Sequence, residues 1–235
     1  MKKNIKAVLV LIVALAVCPV ISVARNAKSD FSACQDFYKK AVNLYMEIDV
    51  TNFESEKDKS GTLLGMAVMQ KSREAYYSKF LNDELVSSGK NILIIDHGSR
   101  HMSFFTDPGK PFLSPFTDMD SLFRQMKDSI VFTGISGGVI KYSVFPKKGM
   151  YKKIEVCFNE KKLYLQQLTY WYHPSSEEFS MGVAKTAIHY KKVTTSLELK
   201  NVFDISRFVA KANGKYKPAD AYKKYSLKVI EPKKK

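Results

Sequence analysis

The sequence has few of the features that would assign it to a large functional class. It contains three cysteines and four histidines in 235 residues. No apolar run of membrane-spanning length follows its first two dozen residues, which argues against an integral membrane protein. It also lacks a proline- or serine-rich linker and an internal repeat. Residues 25–235 are therefore predicted to form one domain, at a length that suits a sandwich or barrel.

Residues in catalytic or metal-binding patterns are also missing. No Gly-x-Ser-x-Gly motif is present, so the common hydrolase nucleophile is not indicated. His97 and His101 are four residues apart, but Gly98 and Ser99 between them predict a turn, so the spacing does not place both rings on one helical face. We therefore predict that the protein is not an enzyme and binds neither a metal nor a cofactor. A secreted hydrolase with an unrecognised site is kept as an alternative.

The first residues contain the pattern of an export signal. Three lysines precede the apolar run Ala7–Val17, and Ser22-Val23-Ala24 places small residues where a signal peptidase cuts. We expect residues 1–24 to be removed as a signal peptide. The mature protein, beginning near Arg25, is then expected in the bacterial periplasm.

Two alternatives stay open at this end of the chain. The uncharged span from Ala7 through Val23 could act as a membrane anchor, although Pro19 interrupts it. Cys18 could instead be the acylated residue of a lipoprotein, although bulky Val17 precedes it.

Acidic residues are scarce relative to basic ones. The chain has 38 Lys and Arg against 23 Asp and Glu, a formal net charge of +15, and loss of residues 1–24 with their three lysines leaves 35 against 23, or +12. In an exported protein, an anionic membrane surface or an envelope protein suits this charge better than nucleic acid does. A solvated surface without a specific partner is the alternative.

Two cysteines, Cys34 and Cys157, remain after removal of the signal peptide. An oxidising compartment permits them to form a disulfide. Two separate buried thiols are the alternative, because the sequence does not show whether the two side chains approach each other.

The mature chain has the alternation of β-strands over most of its length. A helix comes first, since Ser29-Asp30 can cap it and the apolar residues from Phe31 to Val42 keep helical spacing. Met46 and Ile48 then alternate with polar neighbours, as in a half-buried strand. Later short β-rich runs are separated by turns with glycine and serine. The predicted fold is α+β, dominated by an antiparallel sheet of about ten strands that curls.

A loop rich in proline and phenylalanine interrupts the strands. Pro111 and Pro115 stand among large apolar residues that include Phe116, and Thr117-x-x-Asp120 is typical of a capping box. A short amphipathic helix is predicted to follow, with Leu122 and Met126 on one side. Because exposed hydrophobic residues need a reason, we expect residues 112–126 to form a lid over an apolar cavity.

One stretch of the chain resembles a known family. Glu84 to Asp96, a strand, a Gly89-Lys90 turn, an apolar strand and a final aspartate, resembles a segment of the periplasmic lipoprotein carrier (LolA-like) family. Ile154-Glu155-Val156 with Lys162-Leu163 is similar to that family's second-half hairpin. The resemblance implies an incomplete antiparallel β-barrel whose apolar interior holds acyl chains and whose mouth is closed by loop helices. Arg73 is the nearest candidate for the arginine that ties barrel to lid in that family.

These features predict a monomeric periplasmic carrier that binds lipid or lipoprotein acyl chains in an apolar cavity. Methionine is flexible and suits such cargo, although the same side chains would also serve as an ordinary core. An envelope interaction or structural protein with the same fold and no lipid is the alternative, and a continuous apolar cavity would separate the two. The predicted lipid-binding residues are Met46, Ile48, Leu64, Met66, Phe104, Phe116, Leu122 and Met126.

Overall fold

The computed structural model of the chain describes residues 25–108 and 129–232. The predicted signal peptide, Cys18 and the predicted lid residues Phe116, Leu122 and Met126 lie outside the described residues. What was predicted of them therefore stays a prediction. Within the described ranges, no helix is both long and apolar enough to cross a bilayer.

The described residues form two α-helices, two short 3-10 helices and fourteen strands. The helices are α1 (Ala27–Lys40) and α2 (Glu177–Ser180), with 3-10 helices at Ile205–Arg207 and Asp220–Tyr222. The strands are β1 (Asn43–Phe53), β2 (Thr62–Ser72), β3 (Ala75–Phe80), β4 (Asp83–Ser88), β5 (Asn91–Asp96), β6 (His101–Thr106), β7 (Ile130–Ser136), β8 (Val139–Val144), β9 (Tyr151–Asn159), β10 (Leu165–Tyr172), β11 (Lys185–Thr194), β12 (Val209–Ala212), β13 (Lys215–Pro218) and β14 (Ser226–Ile230).

Twelve of these strands form one sheet, in the order β14-β6-β5-β4-β3-β2-β1-β11-β10-β9-β8-β7. β14 lies parallel to β6, whereas β1 joins the two halves of the sheet by antiparallel pairing with both β2 and β11. The sheet curls but does not close into a barrel. The predicted fold class, a β-dominated curled antiparallel sheet with an N-terminal helix, is confirmed.

Alternating side chains give the sheet two faces. We call one the helix face, because Leu44, Met46 and Ile48 point to it and helix α1 packs on it. The Phe31 ring of α1 meets Tyr142 at a centroid distance of 5.6 Å and Phe158 at 5.0 Å. The helix-face core also includes Cys34, Tyr38, Ile140, Val144, Ile154, Val156 and Leu165.

Helix α1 runs across the strands and is held at both ends. Asp30, in its first turn, accepts a hydrogen bond of 2.7 Å from the Tyr142 hydroxyl on β8. Near its C-terminus, the Lys71 ammonium on β2 donates to the Tyr38 carbonyl at 3.1 Å. The helix begins earlier than the predicted cap, because the Asn26 side chain accepts from the Ser29 amide.

The other face of the sheet is covered by residues 195–225, which we call the C-terminal segment. Val202, Phe208 and Val209 of this segment pack against a second core drawn from β3 to β6. The 3-10 helix Ile205–Arg207 and strand β12 lie within this segment. The strand side chains of this second core are Tyr77, Val86, Leu93, Ile95, Met102 and Phe104.

The two cysteines of the described chain are free, buried thiols, and no disulfide joins them. Alternation explains this result. Phe158 points to the helix face, where it meets α1, so its neighbour Cys157 points to the opposite face. Cys34 belongs to the helix-face core, and the sheet therefore separates the two sulfurs. The predicted disulfide is corrected to the alternative of two buried thiols.

Candidate functional site

Five of the predicted lipid-binding residues lie in the part of the chain that the structure describes, and these five are not brought together. Met46 and Ile48 are buried on the helix face beneath α1. Met66 is paired with Asp49, the neighbour of Ile48, and therefore lies on the opposite face. Phe104 is also on the opposite face, buried under the C-terminal segment. Leu64 is exposed at a bulge in β2, so these five residues do not line one cavity.

The enclosed space beside Met46 is small. A cavity of about 10 Å³ lies between helix α1 and strands β1 to β3, with Tyr38, Leu44, Met69 and Tyr76 in its wall. This volume suffices for about one water molecule. An acyl chain therefore cannot enter the part of the helix face that α1 already fills.

The same face continues beyond α1 as an apolar strip. Register pairs run from the buried Met46 to Met69, Ser78, Leu85 and Ile94 on successive strands, so all five side chains share the helix face. A second row joins Ile92, Phe105 and Ile230. We call Leu85, Ile92, Ile94, Phe105 and Ile230 the apolar strip.

The apolar strip belongs to neither core of the described residues. The helix-face core ends near β2 on this side of the molecule, and the second core lies on the other face of the same strands. Ile94 keeps 41% of its surface exposed, and the other four residues are half-buried. Five large apolar side chains thus form a contiguous surface on four adjacent strands.

Polar groups border the apolar strip at the edge strand and at one end of the strands. Ser103 and Lys228 continue the row of Leu85 and Ile94 toward the edge strand β14. At one end, Asp96 is held in a turn, where hydrogen bonds from Ser99 lower the pKa of its carboxyl below the ordinary value. The strip can therefore accept an apolar chain, with a cation, Lys228, at its outer edge.

A second, more open cavity lies near the C-terminal end of α1. Its volume is about 430 Å³, within the usual range for small-ligand pockets. Its wall mixes aromatic and aliphatic side chains, namely Phe37, Tyr164 and Val193, with Lys162 and the hydroxyls of residues 194–196. This mixed wall is less suited to an acyl chain than the strip is.

A part-buried hydrogen-bonded cluster fixes the C-terminal segment to the sheet. His97 contacts the Glu84 carboxylate through Nε2 at 2.9 Å and the Tyr225 hydroxyl through Nδ1 at 2.9 Å. Because the ring of Tyr225 also packs on His97 and Tyr222, the arrangement serves as an anchor. Within residues 25–108 and 129–232, no three carboxylate, imidazole or thiol groups converge as metal ligands.

The sequence did not predict the apolar strip, although two of its residues lie in a segment that was identified from the sequence. Ile92 and Ile94 lie in the segment that resembles the LolA-like family. In the run Asn91 to Asp96, apolar residues occupy both alternating positions, so the pattern does not tell which set is covered. The structure shows that Leu93 and Ile95 are covered and that Ile94 is exposed.

No family model matches the chain, and no curated protein matches it. Several solved structures are similar in fold. A conserved uncharacterized protein from Thermus thermophilus is 7% identical with a TM-score of 0.48, and the match covers 88% of this chain and all of that one. The MucA/MucB complex of Pseudomonas aeruginosa is 9% identical with a TM-score of 0.46, and the match covers 83% of this chain and 64% of that one.

A LolA superfamily protein from Nitrosomonas europaea is also similar. It is 6% identical with a TM-score of 0.31, and the match covers 77% of this chain and 98% of that chain. The similar structures thus include a member of the superfamily that the sequence resembles. The likeness concerns the fold alone.

Proposed function

We propose that the protein is an exported, non-enzymatic carrier that binds one acyl chain of a lipid or lipoprotein along the apolar strip. The observation behind this proposal is the strip itself, whose residues lie outside both cores and include the exposed Ile94. Contiguous apolar surface of this kind usually marks a binding site.

The geometry of the strip sets the strength of binding. An acyl chain lying on a sheet face is sheltered on about one side, so each methylene gains about 0.4 kcal/mol, half of the ~0.8 kcal/mol for full burial. A chain of about twelve methylenes would gain about 5 kcal/mol, which corresponds to a dissociation constant of roughly 0.2 mM. Binding by the strip alone is therefore weak enough for cargo to be released.

A second candidate function is an envelope interaction or structural protein that uses the same sheet without lipid. The filled helix face beneath α1, with a cavity of only about 10 Å³, favours it. The difference between the two candidates lies in whether the apolar strip binds an acyl chain.

Binding of a fluorescent fatty-acyl probe to the purified protein tests the proposal. Ile94→Asp places a charge in the centre of the strip and is expected to weaken probe binding at least tenfold. Met66→Asp is the matched control, because Met66 is 68% exposed on the opposite face, and it should bind like the wild type. Circular dichroism checks that both variants fold.

If the two variants bind the acyl probe equally well, the apolar strip is not the binding site. Absence of probe binding by the wild type, together with no lipid in native mass spectra of protein purified from its own envelope, would favour the structural candidate.

A further inference from the structure

Exposed apolar side chains concentrate at one end of the sheet, away from the apolar strip. The loops after β1, β8 and β10 all lie at this end, because Phe53 pairs with Lys185 and Trp171 pairs with Lys153. The exposed large residues on or beside these loops are Leu63, Leu64, Phe145, Met150, Phe179 and Met181. At the opposite end, the corresponding exposed residues among those described are Val42, Ile135 and Leu197.

The three loops are bonded to one another. The His173 amide donates to the Met150 carbonyl at 2.7 Å, and the Ala184 amide donates to the Phe53 carbonyl at 2.8 Å. The Lys185 ammonium donates to the Asp58 carbonyl at 2.8 Å. These bonds join the loops after β1, β8 and β10 into one surface.

The tip of the loop after β8 is amphiphilic. Phe145 and Met150 are 46% and 45% exposed, and the exposed Lys147 and Lys148 lie between them. No described residue forms an ion pair with these two lysines, whereas the nearby Lys152 is paired with Glu56. The tip therefore presents two apolar side chains and two available cations together.

We propose that this tip, Phe145 to Met150, docks the protein on an anionic lipid bilayer. Phe145 and Met150 enter the interfacial region of the bilayer, and Lys147 and Lys148 lie at the level of the phosphate groups. Charge complementarity selects this occupant, because the tip contains no acid and the chain without residues 1–24 has 35 Lys and Arg against 23 Asp and Glu, a formal net charge of +12. Paired apolar and basic groups are the usual composition of surfaces that bind membrane interfaces.

This docking does not depend on the acyl-carrier proposal. The tip lies in the half of the sheet that contains β8 and β9, whereas the apolar strip spans β4, β5, β6 and β14. Variants of the tip are accordingly expected to bind the fluorescent acyl probe in solution as the wild type does.

Cosedimentation of the exported protein with vesicles tests the docking. Vesicles of phosphatidylcholine with phosphatidylglycerol are compared with vesicles of phosphatidylcholine alone. The wild type should bind the anionic vesicles and prefer them over the neutral ones. Lys147→Gln with Lys148→Gln should weaken that binding about 30-fold, since each lysine near an anionic surface contributes about a factor of five.

Two further variants separate the tip from general apolar exposure. Phe145→Ser with Met150→Ser should weaken binding to the anionic vesicles by at least tenfold. Val42→Ser with Leu197→Ser, at the opposite end of the sheet, is the control and should stay within about twofold of the wild type, as expected for side chains outside the bilayer contact. All variants keep the same N-terminus, so an uncleaved leader affects them equally.

Three outcomes would overturn the docking proposal. They are no binding of the wild type, equal binding to neutral and anionic vesicles, and loss of binding in the control variant as large as in the tip variants. If the wild type binds the vesicles but does not bind the acyl probe, only the carrier proposal is refuted. Circular dichroism of each variant excludes unfolding as the cause of a loss.

Discussion

Gln70 offers a sharp test of how the C-terminal segment is held. Its side chain is 1% exposed on β2. The carboxamide nitrogen donates to the Leu199 carbonyl at 2.8 Å, and the carboxamide oxygen accepts from the amides of Glu198 and Leu199 at 2.9 Å each. One side chain thus satisfies three backbone groups at the start of the segment.

Gln70→Leu would remove all three hydrogen bonds while preserving most of the volume. The three bonds are part-buried, and each backbone group left without a partner costs about 1 kcal/mol where water does not replace the lost partner. If the segment shifts so that water reaches one of the three groups, the remaining two still cost about 2 kcal/mol. We therefore expect the free energy of unfolding to fall by about 2–3 kcal/mol.

Urea unfolding followed by circular dichroism measures this loss. Gln167→Leu is the matched control, because Gln167 is a half-buried strand residue whose side-chain amide donates one hydrogen bond, to the Thr169 hydroxyl. Because that hydroxyl is buried, the free energy of unfolding of this control should fall by about 1 kcal/mol, at most half of the loss in Gln70→Leu. Limited proteolysis should also cut the C-terminal segment faster in Gln70→Leu. Equal unfolding midpoints for the two variants would refute the reasoning.

Three further predictions concern titratable groups of the helix face and its surroundings. Burial raises the pKa of Cys34 to about 12 and of Cys157 to about 11. A thiol reagent at neutral pH should therefore react with both thiols only after the protein is denatured. A count of fewer than two thiols after denaturation would indicate a disulfide. Burial also raises the pKa of Tyr76 and Tyr170 to about 12 from 10.0. Their contribution to stability is then complete below pH 10 and lost as the pH rises through about 12, which tyrosinate absorbance and circular dichroism should show as coupled changes. Asp30→Asn, which weakens a charged hydrogen bond to a buried hydroxyl, should lower the free energy of unfolding by about 1–2 kcal/mol in thermal melts.

The local elements were predictable because the spacing of apolar residues along each of them is regular. The apolar spacing from Phe31 onward predicted α1, and the alternation around Met46 and Ile48 predicted β1. The turn at Gly89, whose φ of +58° suits glycine, was also predicted between two strands. Each of these features is decided within about ten residues of sequence.

What covers each face was not predictable in the same way. Met46 and Phe104 both lie in apolar strand runs, yet Met46 is covered by α1 and Phe104 by the C-terminal segment. Alternation identifies the two sets of side chains on a strand but not the distant element that packs on each set. The five residues predicted to line one cavity were separated for this reason, and the apolar strip was overlooked.

The pairing of β1 with β11 has a consequence for the timing of folding. Ile48 lies opposite Tyr190, so about 140 residues must be synthesised after β1 before its partner exists. Contacts of such sequence separation form slowly, because loop closure precedes any gain from the contact. Until then one edge of β1 is a bare template for pairing with other chains. Growing chains of this protein are therefore expected to depend on chaperones for longer than chains whose first strand pairs only with its neighbour.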